Sequence, residues 1–283
     1  MATNTSYPHM KHILFVALFI FPFIFAKAQV FEGIVKDAKT NLPLPYVNVG
    51  IIGKSVGTVT DSAGRYKLNL ANHDADSLKL SMIGYKALTY QVADFLKNAN
   101  THKTLSLQPA VTQLKEVKVN NHKWKEVVLG NTTQSKSGNA GFRSNKLGYE
   151  IGSIIKIKKA PTYLKQFNAA IASDVTDSVK LRLNFYSVKD GLPDQLLQNQ
   201  NIFVTVKKGQ QSINVDLKPY NIFVDDKFFV SLEWIQNAKG HGIMFSANLS
   251  LFGGGAIISR ETSQDTWEKV SIAGIGFNVL AEY

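Results

Sequence analysis

Histidine, serine and cysteine side chains do not fall into a catalytic or metal-binding pattern in this sequence. Cysteine is absent, which excludes disulfides, thiolate metal ligands and a cysteine nucleophile. His73, His102, His122 and His241 do not have the HxH or HExxH spacing that binds zinc. Ser55 lies in a G-x-S-x-G run, Gly53 to Gly57, but this run connects short alternating β-segments rather than a strand and a helix, so we do not interpret it as a hydrolase nucleophile. We therefore predict no catalytic residue, no metal ligand and no cofactor.

Carboxylates leave two alternatives open. Three pairs of aspartates lie close together in the sequence: Asp74 and Asp76, Asp174 and Asp177, Asp225 and Asp226. Such pairs can bind calcium in loops, but none reproduces a twelve-residue calcium loop, so we interpret them as solvated turns. A glycan hydrolase remains the enzymatic alternative, because its two carboxylates can come from distant parts of a chain. Two acidic side chains facing each other across a concave cleft would support it.

Aromatic side chains are the better candidates for binding. Trp267, Tyr186 and Tyr220 would stack against sugar rings if their faces were exposed, and we predict them as the ligand-binding residues. Trp267 lies in a polar segment, Gln264 to Glu268, which favours exposure. Trp234 lies in an apolar strand and is predicted to belong to the core.

The first 28 residues predict export. Lys11 precedes an unbroken apolar run from Ile13 to Phe25, and Ala26-Lys27-Ala28 follows it. This is the pattern of a secretory signal peptide with an A-x-A cleavage site. The run is shorter than the roughly 20 residues that span a bilayer, so no stable membrane span is expected after cleavage. We predict cleavage after Ala28 and a periplasmic, outer-membrane-surface or extracellular location.

The net charge of +11 does not indicate a nucleic-acid partner, because the basic residues are spread along strand-like segments. We interpret the charge first as a solvated lysine-rich surface, and attraction to anionic polysaccharide or to a lipid surface is the functional alternative. Nothing in the sequence indicates an oligomeric state.

Residues 29–108 alternate with a period of two in short runs separated by turns, which predicts a small antiparallel β-sandwich. We interpret Gly57 and Gly64 as turn residues with positive φ, and Asp61 as the acceptor that fixes a turn. Tyr66 and Tyr85 are expected to bury their rings while each hydroxyl finds a partner.

This segment resembles the carboxypeptidase regulatory-like domain family. The resemblance lies in Gly33, Asp37, Pro43-Leu44, Val47, Val49, Gly57-Thr58-x-Thr60-Asp61, Gly64, Tyr66 and Ser81-x-x-Gly84-Tyr85. It implies a transthyretin-like seven-stranded sandwich that acts as an accessory module, often in outer-membrane receptors and other exported proteins of Bacteroidetes. It implies no catalytic residue.

Residues 109–147 are predicted to be a linker, because residues 130–147 are rich in Gly, Ser, Asn and Lys. Leu114 to Val119 resembles a strand that often follows the regulatory-like module. Trp124 is expected to dock on one of the domains.

Alternation returns over residues 148–283 and predicts a second sandwich of at least seven strands, with Phe228 to Ile235 as a central strand. A turn of helix is allowed only at Leu164 to Ala170 or Asp194 to Leu197. The runs VKLRLNFYSVKDGLPDQLL and FFVSLEWI resemble jelly-roll sandwiches of secreted bacterial proteins and carbohydrate-binding modules.

The predicted fold is therefore all-β, with two β-sandwich domains behind a signal peptide. The predicted function is a non-catalytic, exported binding or structural module for polysaccharide or an envelope protein. A small outer-membrane-associated protein is a further alternative, because the apolar positions alternate from Ile275 to the terminal Tyr283.

Overall fold

The computed structural model of the protein describes residues 30–110, 124–173, 177–238, 242–249, 256–270 and 273–283. The predicted signal peptide, the strand at Leu114 to Val119 and Asp174 lie outside these residues. About 52% of the described residues are in strands and 6% in helices, which confirms the all-β fold class. No helix within the described ranges is long and apolar enough to cross a membrane.

The first domain is a sandwich of two sheets. Its strands are β1 (Val30–Asp37), β2 (Asn48–Ile51), β3 (Gly57–Val59), β4 (Arg65–Asn69), β5 (Ser77–Ser81), β6 (Leu88–Gln91) and β7 (Thr104–Leu107). One sheet has the order β4-β1-β7 and the other has the order β3-β2-β5-β6. These seven strands confirm the predicted seven-stranded sandwich. Because the apolar residues alternate, Val35, Val49 and Leu80 are fully buried between the sheets.

Two short helices follow β6, where the sequence analysis predicted none. They are α1 (Val92–Lys97) and α2 (Ala99–His102). Val92 and Phe95 of α1 are fully buried, and the Phe95 ring lies 4.7 Å from that of Phe31. With one or two turns each, these helices are too short to show a 3.6-residue period, and tertiary packing stabilises them.

The second domain is also a sandwich. Its described strands are β8 (Glu126–Gly130), β9 (Asn139–Gly141), β10 (Glu150–Ile155), β11 (Thr162–Ser173), β12 (Val179–Lys189), β13 (Leu192–Leu196), β14 (Ile202–Val206), β15 (Ser212–Asp216), β16 (Phe223–Val224), β17 (Phe228–Trp234), β18 (Met244–Leu249), β19 (Ile257–Arg260), β20 (Glu268–Val270), β21 (Ala273–Ile275) and β22 (Phe277–Glu282). A short 3₁₀ helix occupies Lys218–Tyr220.

We name the two sheets of this domain the front and back sheets. The front sheet has the order β13-β12-β17-β10-β19-β20, with β14 beside β12. The back sheet has the order β21-β18-β11-β22-β8, with β15 and β16 beside β11 and β9 beside β18. The predicted central strand is confirmed, because β17 lies between β12 and β10 and all seven of its residues are buried. The predicted helical turns are wrong: residues 164–170 belong to β11, and residues 194–196 belong to β13.

The second half of the linker predicted for residues 109–147 contains two β-strands. Strand β8 pairs with β22, and strand β9 pairs with β18, so these residues extend the back sheet. The Gly, Ser, Asn and Lys content of residues 130–147 therefore does not make this segment a free linker. Trp124 lies beside Phe223 with the ring centroids 6.4 Å apart, so it docks on the second domain as expected.

Three of the turn and tyrosine predictions in the first domain are confirmed. Asp61 Oδ1 accepts bonds from the backbone N–H groups of Ala63 and Arg65, both at 2.8 Å, and Gly64 has φ +71°. Tyr85 donates its hydroxyl to Asp37 Oδ2 at 2.8 Å.

Two predictions in the same domain need correction. Gly57 does not have positive φ; it lies in strand β3, and its small size serves a contact between the domains. The Tyr66 ring is buried, but its hydroxyl has no partner among the described residues.

Candidate functional site between the domains

The central strand of the front sheet, β17, is buried on both faces. In β17, Phe228, Val230, Leu232 and Trp234 pack in the core of the second domain. The alternate residues Phe229, Ser231 and Glu233 point to the opposite face, yet they are 0% exposed. A strand with polar residues on one buried face needs partners on that face. The first domain and neighbouring loops supply the cover.

A charged row crosses this outer face. Arg182 on β12 lies opposite Glu233 on β17, Glu233 lies opposite Glu150 on β10, and Glu150 lies opposite Arg260 on β19. Directly opposite residues of antiparallel strands place their side chains side by side. The row therefore alternates as cation, two carboxylates and cation, with a net charge of zero.

Glu150 uses both carboxylate oxygens. Its Oε1 accepts bonds from Ser231 at 2.5 Å, Asn184 at 2.9 Å and Tyr186 at 3.0 Å. Its Oε2 accepts two bonds from Arg260, at 3.0 and 2.6 Å. Burial raises the pKa of Glu150, but the Arg260 charge and these hydrogen bonds outweigh burial and hold the pKa below its usual value. Glu150 is therefore an ionised, fully satisfied carboxylate.

Glu233 has fewer hydrogen-bond partners than Glu150, and its pKa is displaced in the opposite direction. Its Oε2 accepts bonds from Arg182 and, at 3.0 Å, from Asn184, whereas its Oε1 has no partner in the described part of the chain. Burial raises the pKa of Glu233, the Arg182 charge opposes this rise, and the neighbouring Glu150 carboxylate adds to it. The two carboxylates thus have pKa values displaced in opposite directions.

Arg182 ties the row to the first domain. Its guanidinium donates to the Tyr46 carbonyl oxygen at 2.9 Å and to Asn48 Oδ1 at 2.6 Å. It also pairs with Glu233 at 2.8 Å, although Arg182 itself is only 2% exposed. A buried guanidinium is tolerated where it is paired and fully hydrogen-bonded. Arg182 therefore fixes how the first domain sits on the front sheet.

A loop after β19 makes the second contact between the domains. Gly50 and Gly57 lie opposite each other on β2 and β3, and the Ser263 backbone packs on them. A Cβ atom on Gly57 would also lie 3.0 Å from Thr262 Oγ1. Gln264 adds a hydrogen bond to Ser81 at 2.8 Å. The glycine pair lets the two backbones approach closely, which larger residues would prevent.

A groove runs along one side of this interface, and we call it the interdomain groove. It consists of two cavities of about 650 and 440 Å³ that share Thr58 and Asn237. The smaller cavity is lined by six hydroxyl or amide side chains: Ser55, Thr58, Asn69, Asn145, Asn237 and Thr262. The larger cavity is lined by five charged side chains: Glu32, Asp61, Arg65, Lys67 and Lys103. Clefts of this size between domains are common ligand sites.

The structure brings two of the three predicted ligand-binding residues together. Tyr186 and Trp267 pack with Phe229 on the outer face of the front sheet, and the Trp267 centroid lies 5.9 Å from that of Tyr186. Tyr186 is 8% exposed and donates its hydroxyl to Glu150, so its ring offers little surface for a sugar. Trp267 is half-buried, and Arg260 lies 4.5 Å over its ring. Tyr220 lies apart, in the 3₁₀ helix beside β11.

The paired aspartates are used locally. Asp76 accepts from His73 Nδ1 at 2.6 Å, and Asp226 Oδ1 accepts the Lys227 backbone N–H at 2.6 Å. In the ranges that the structure describes, no three or more His, Asp or Glu side chains converge in a way that would hold a metal ion.

Sequence reasoning missed Glu150, Arg182, Glu233 and Arg260, which are the charged residues that matter most to the interface. A signal was present: Arg182 and Glu233 each lie at a polar position that alternates with apolar residues. Nothing in a period of two shows whether the polar face meets water or another domain.

Comparisons with known proteins agree with the organisation of the first domain. Residues 31–119 match the model of the CarboxypepD_reg-like domain family. No curated protein matches the sequence.

Three solved structures show low similarity to this chain. One is the crystal structure of the cysteine protease and lectin-like domains of Cwp84, a surface layer associated protein of Clostridium difficile; it is 10% identical with a TM-score of 0.39, covering 84% of this chain and 58% of that chain. The others are structures of the infectious bursal disease virus Gt strain (10% identity, TM-score 0.26) and Gx strain (9% identity, TM-score 0.23), each covering 89% of this chain and 61% of that chain. This chain thus spans less than two thirds of the length of each.

The family match is consistent with a binding or structural module. It confirms the resemblance predicted from the motif residues, and its range extends past residue 108 to residue 119. Residues 31–119 therefore match the CarboxypepD_reg-like domain family, and further β-sandwich structure follows them.

Proposed function

We propose that the protein is an exported, non-catalytic cell-envelope protein that binds polysaccharide in the interdomain groove. The observation that carries this proposal is the set of six hydroxyl and amide side chains in the smaller cavity. Hydroxyl and amide groups both donate and accept hydrogen bonds, which matches the hydroxyl groups of a sugar. The second domain and the first both contribute to this lining, so the docked pair forms the site.

The larger cavity favours an anionic polysaccharide. Glu32 forms an ion pair with Lys67 at 2.8 Å, and Asp61 is engaged in its turn. Arg65 and Lys103 form no ion pair within the described residues and remain open to a ligand. Two exposed cations beside a groove attract carboxylate, sulfate or phosphate groups, and salt weakens this attraction.

The acidic residues support a non-catalytic role. Glu150 and Glu233 are neighbours, but both are 0% exposed and each is paired with an arginine. Glu32 in the groove has its pKa lowered by the Lys67 hydrogen bond and charge. A glycosidase acid needs a raised pKa and an open position beside the sugar. Glu233 and Glu32 each lack one of these two requirements, and Glu150 lacks both.

The proposal is tested by binding of the purified protein to a panel of neutral and anionic polysaccharides. We expect Asn237→Ala and Asn145→Ala to weaken binding, because both side chains line the groove. Asn214→Ala is the matched control, since Asn214 is exposed on β15, in the back sheet. Trp267→Ala distinguishes binding in the groove from binding at the aromatic residues that the sequence analysis predicted. Absence of polysaccharide binding, or binding lost only in Trp267→Ala, would contradict the groove proposal.

Export is tested separately. Because the signal-peptide pattern ends at Ala28, we expect the mature protein to begin at Gln29. Mass spectrometry of the N-terminal peptide from envelope and cytoplasmic fractions measures this. A cytoplasmic protein that keeps residues 1–28 would contradict the proposal.

A further inference from the structure

The unpaired cations of the interdomain groove lie in the larger of its two cavities. The charged side chains that line this cavity are three cations and two carboxylates, which gives it a net charge of +1. Lys67 pairs with Glu32 at 2.8 Å, whereas Arg65 and Lys103 are exposed and form no ion pair within the described residues. The excess charge of the larger cavity is therefore matched by one anionic group of a ligand.

Three lining residues of the larger cavity point away from the core of the first domain: Ile34, Arg65 and Thr104. The next residue along the chain after each of them packs in that core, and these residues are Val35, Tyr66 and Leu105. Because successive side chains of a strand point to opposite faces of a sheet, the three lining residues face outward. None of the three is buried, so a ligand in the cavity can reach them.

These three residues form one row across the sheet β4-β1-β7. Ile34 lies opposite Arg65 on one side and opposite Thr104 on the other. Neighbouring strands are about 4.8 Å apart, so the backbones at Arg65 and Thr104 lie roughly 10 Å from each other. Lys103, directly before Thr104, also lines the cavity. A sugar ring placed over Ile34 would thus have a cation available on each side.

The smaller cavity has no cation to spare. Two of its lining side chains can carry positive charge, His73 and Lys146. Lys146 pairs with Glu261 at 2.7 Å, and His73 Nδ1 lies 2.6 Å from Asp76 Oδ2. An anionic group in this cavity would lie near two carboxylates, and both cations already have acidic partners. The hydroxyl and amide side chains that also line it are suited to neutral sugars.

We propose that the groove binds a polysaccharide in which acidic sugars are separated by neutral sugars, with an acidic sugar in the larger cavity and neutral sugars in the smaller cavity. This inference rests on the proposed polysaccharide binding and specifies the charge pattern of the ligand. A polymer with a carboxylate on every sugar would place one in the smaller cavity, where it loses water without gaining a counter-ion. A neutral polymer would leave Arg65 and Lys103 without a partner.

A matched series of oligogalacturonates tests the charge pattern. The carboxyl groups are reduced to alcohols on all, about half or none of the sugars, so that chain length and linkage stay the same. Isothermal titration calorimetry measures the affinity of the purified protein at one fixed salt concentration, because salt screens exposed charges. We expect the half-reduced ligand to bind about five- to tenfold more tightly than either end member.

Two results of this series would overturn the charge pattern. One is an affinity that rises or falls steadily with the number of carboxylates, and the other is binding by none of the three ligands. Either result leaves polysaccharide binding itself intact if another member of the wider panel binds. Failure of every polysaccharide in that panel would contradict the proposed function as well.

A gain of charge in the smaller cavity should change the preference. Asn145→Lys places an unpaired cation there, because Asn145 is exposed and lines that cavity. We expect the unreduced ligand to bind this variant about three- to tenfold more tightly than the wild type. Asn214→Lys is the matched control, since it adds the same charge at an exposed position on β15. Equal affinity of the two variants for the unreduced ligand would overturn the proposal.

A loss of charge in the larger cavity should have the opposite effect. Arg65→Gln is expected to weaken binding of the half-reduced ligand about three- to tenfold and to leave the fully reduced ligand unchanged. Lys86→Gln is the matched control, because Lys86 is exposed and lines neither cavity. If the half-reduced ligand bound Arg65→Gln as tightly as the wild type, the acidic sugar would lie elsewhere and the proposal would be wrong.

Discussion

At the scale of single residues, the most consequential side chain is Arg182. It is buried at the boundary of two domains, and its four hydrogen bonds reach both of them. A paired buried arginine adds little net stability, because desolvation offsets the attraction. Removal of one partner is costly, however, since the other charge is then left buried and unpaired. The pair therefore matters more for how the domains are oriented than for total stability.

Arg182→Met is expected to destabilise the protein by about 3–5 kcal/mol, because Glu233 loses its counter-ion in a buried site. The free energy of unfolding in urea measures this. The double variant Arg182→Met/Glu233→Leu should recover part of the loss, since it removes both charges. A double variant less stable than Arg182→Met alone would contradict this account.

A second prediction concerns Asp37, which the sequence analysis treated as a motif residue. The Thr40 backbone N–H and the Tyr85 hydroxyl both donate to its carboxylate, and these bonds hold the Asp37 pKa below 3.8. A carboxyl whose pKa is lowered by folding stabilises the protein above its unfolded pKa, and this contribution is lost as pH falls through the lowered value. Asp37→Asn should therefore lose less stability than the wild type when the pH falls below 3.8.

Thermal melts from neutral pH into this acidic range measure the effect. Asp225→Asn is the matched control, because Asp225 is exposed and outside the Asp37 network. Parallel curves for the wild type and Asp37→Asn would show that these hydrogen bonds do not set the acid sensitivity.

At the scale of elements, strands β2 and β3 contact the second domain through a patch without side chains. Their paired glycines, Gly50 and Gly57, remove side chains from one patch of the sheet, and the Ser263 backbone occupies that patch. Glycine in a strand costs stability on its own. The cost is offset here by a close contact between two domains. The family motif Gly57-Thr58-x-Thr60-Asp61 thus contains a docking residue as well as a turn.

Gly57→Ala should destabilise the protein by about 1–3 kcal/mol, because the added methyl group meets Ser263 and Thr262. Chemical denaturation measures the change. Gly209→Asn is the control: Gly209 has φ +78° and no atom within 4 Å of an added Cβ, and asparagine tolerates that backbone conformation. Equal stability of Gly57→Ala and the wild type would mean that the loop yields without cost.

At the scale of the whole molecule, two sandwiches pack through a polar interface. Tyr46, Val59 and Ile235 form only a small apolar cluster there. Much of the other contact is polar: the Arg182 and Ser263 interactions and the hydrogen bonds Gln264–Ser81, Ser55–Asp265 and Lys180–Tyr46. Interfaces between domains of one chain are commonly polar and allow motion. This one contains a buried ion pair and a close backbone contact, so we expect the domains to unfold together.

Differential scanning calorimetry should show one transition whose calorimetric and van't Hoff enthalpies agree. Gly57→Ala, which disturbs the docking surface without entering either core, should broaden or split this transition. Two well-separated transitions in the wild type would contradict strong coupling between the domains.

Much of the fold could be predicted from the sequence. A period of two is local information, so β17 was predictable from its own residues, whereas the count of seven strands in the first domain came from the family resemblance. Helix α1 was not, because six residues hold too little periodicity and Phe95 depends on packing against Phe31. Strands β8 and β9 were not, because they are only five and three residues long and border a segment rich in Gly, Ser, Asn and Lys.

The sequence by itself determined the all-β class and the regulatory-like first domain, because alternation and turn residues act within a few positions of the chain. Only the tertiary structure decided whether the polar face of the front sheet contacts water or another domain. Glu150, Arg182 and Glu233 come from strands far apart in the sequence, and only the order of β12, β17 and β10 makes them neighbours. Burial of that face follows from docking of a second domain, which is a long-range event that no local pattern records.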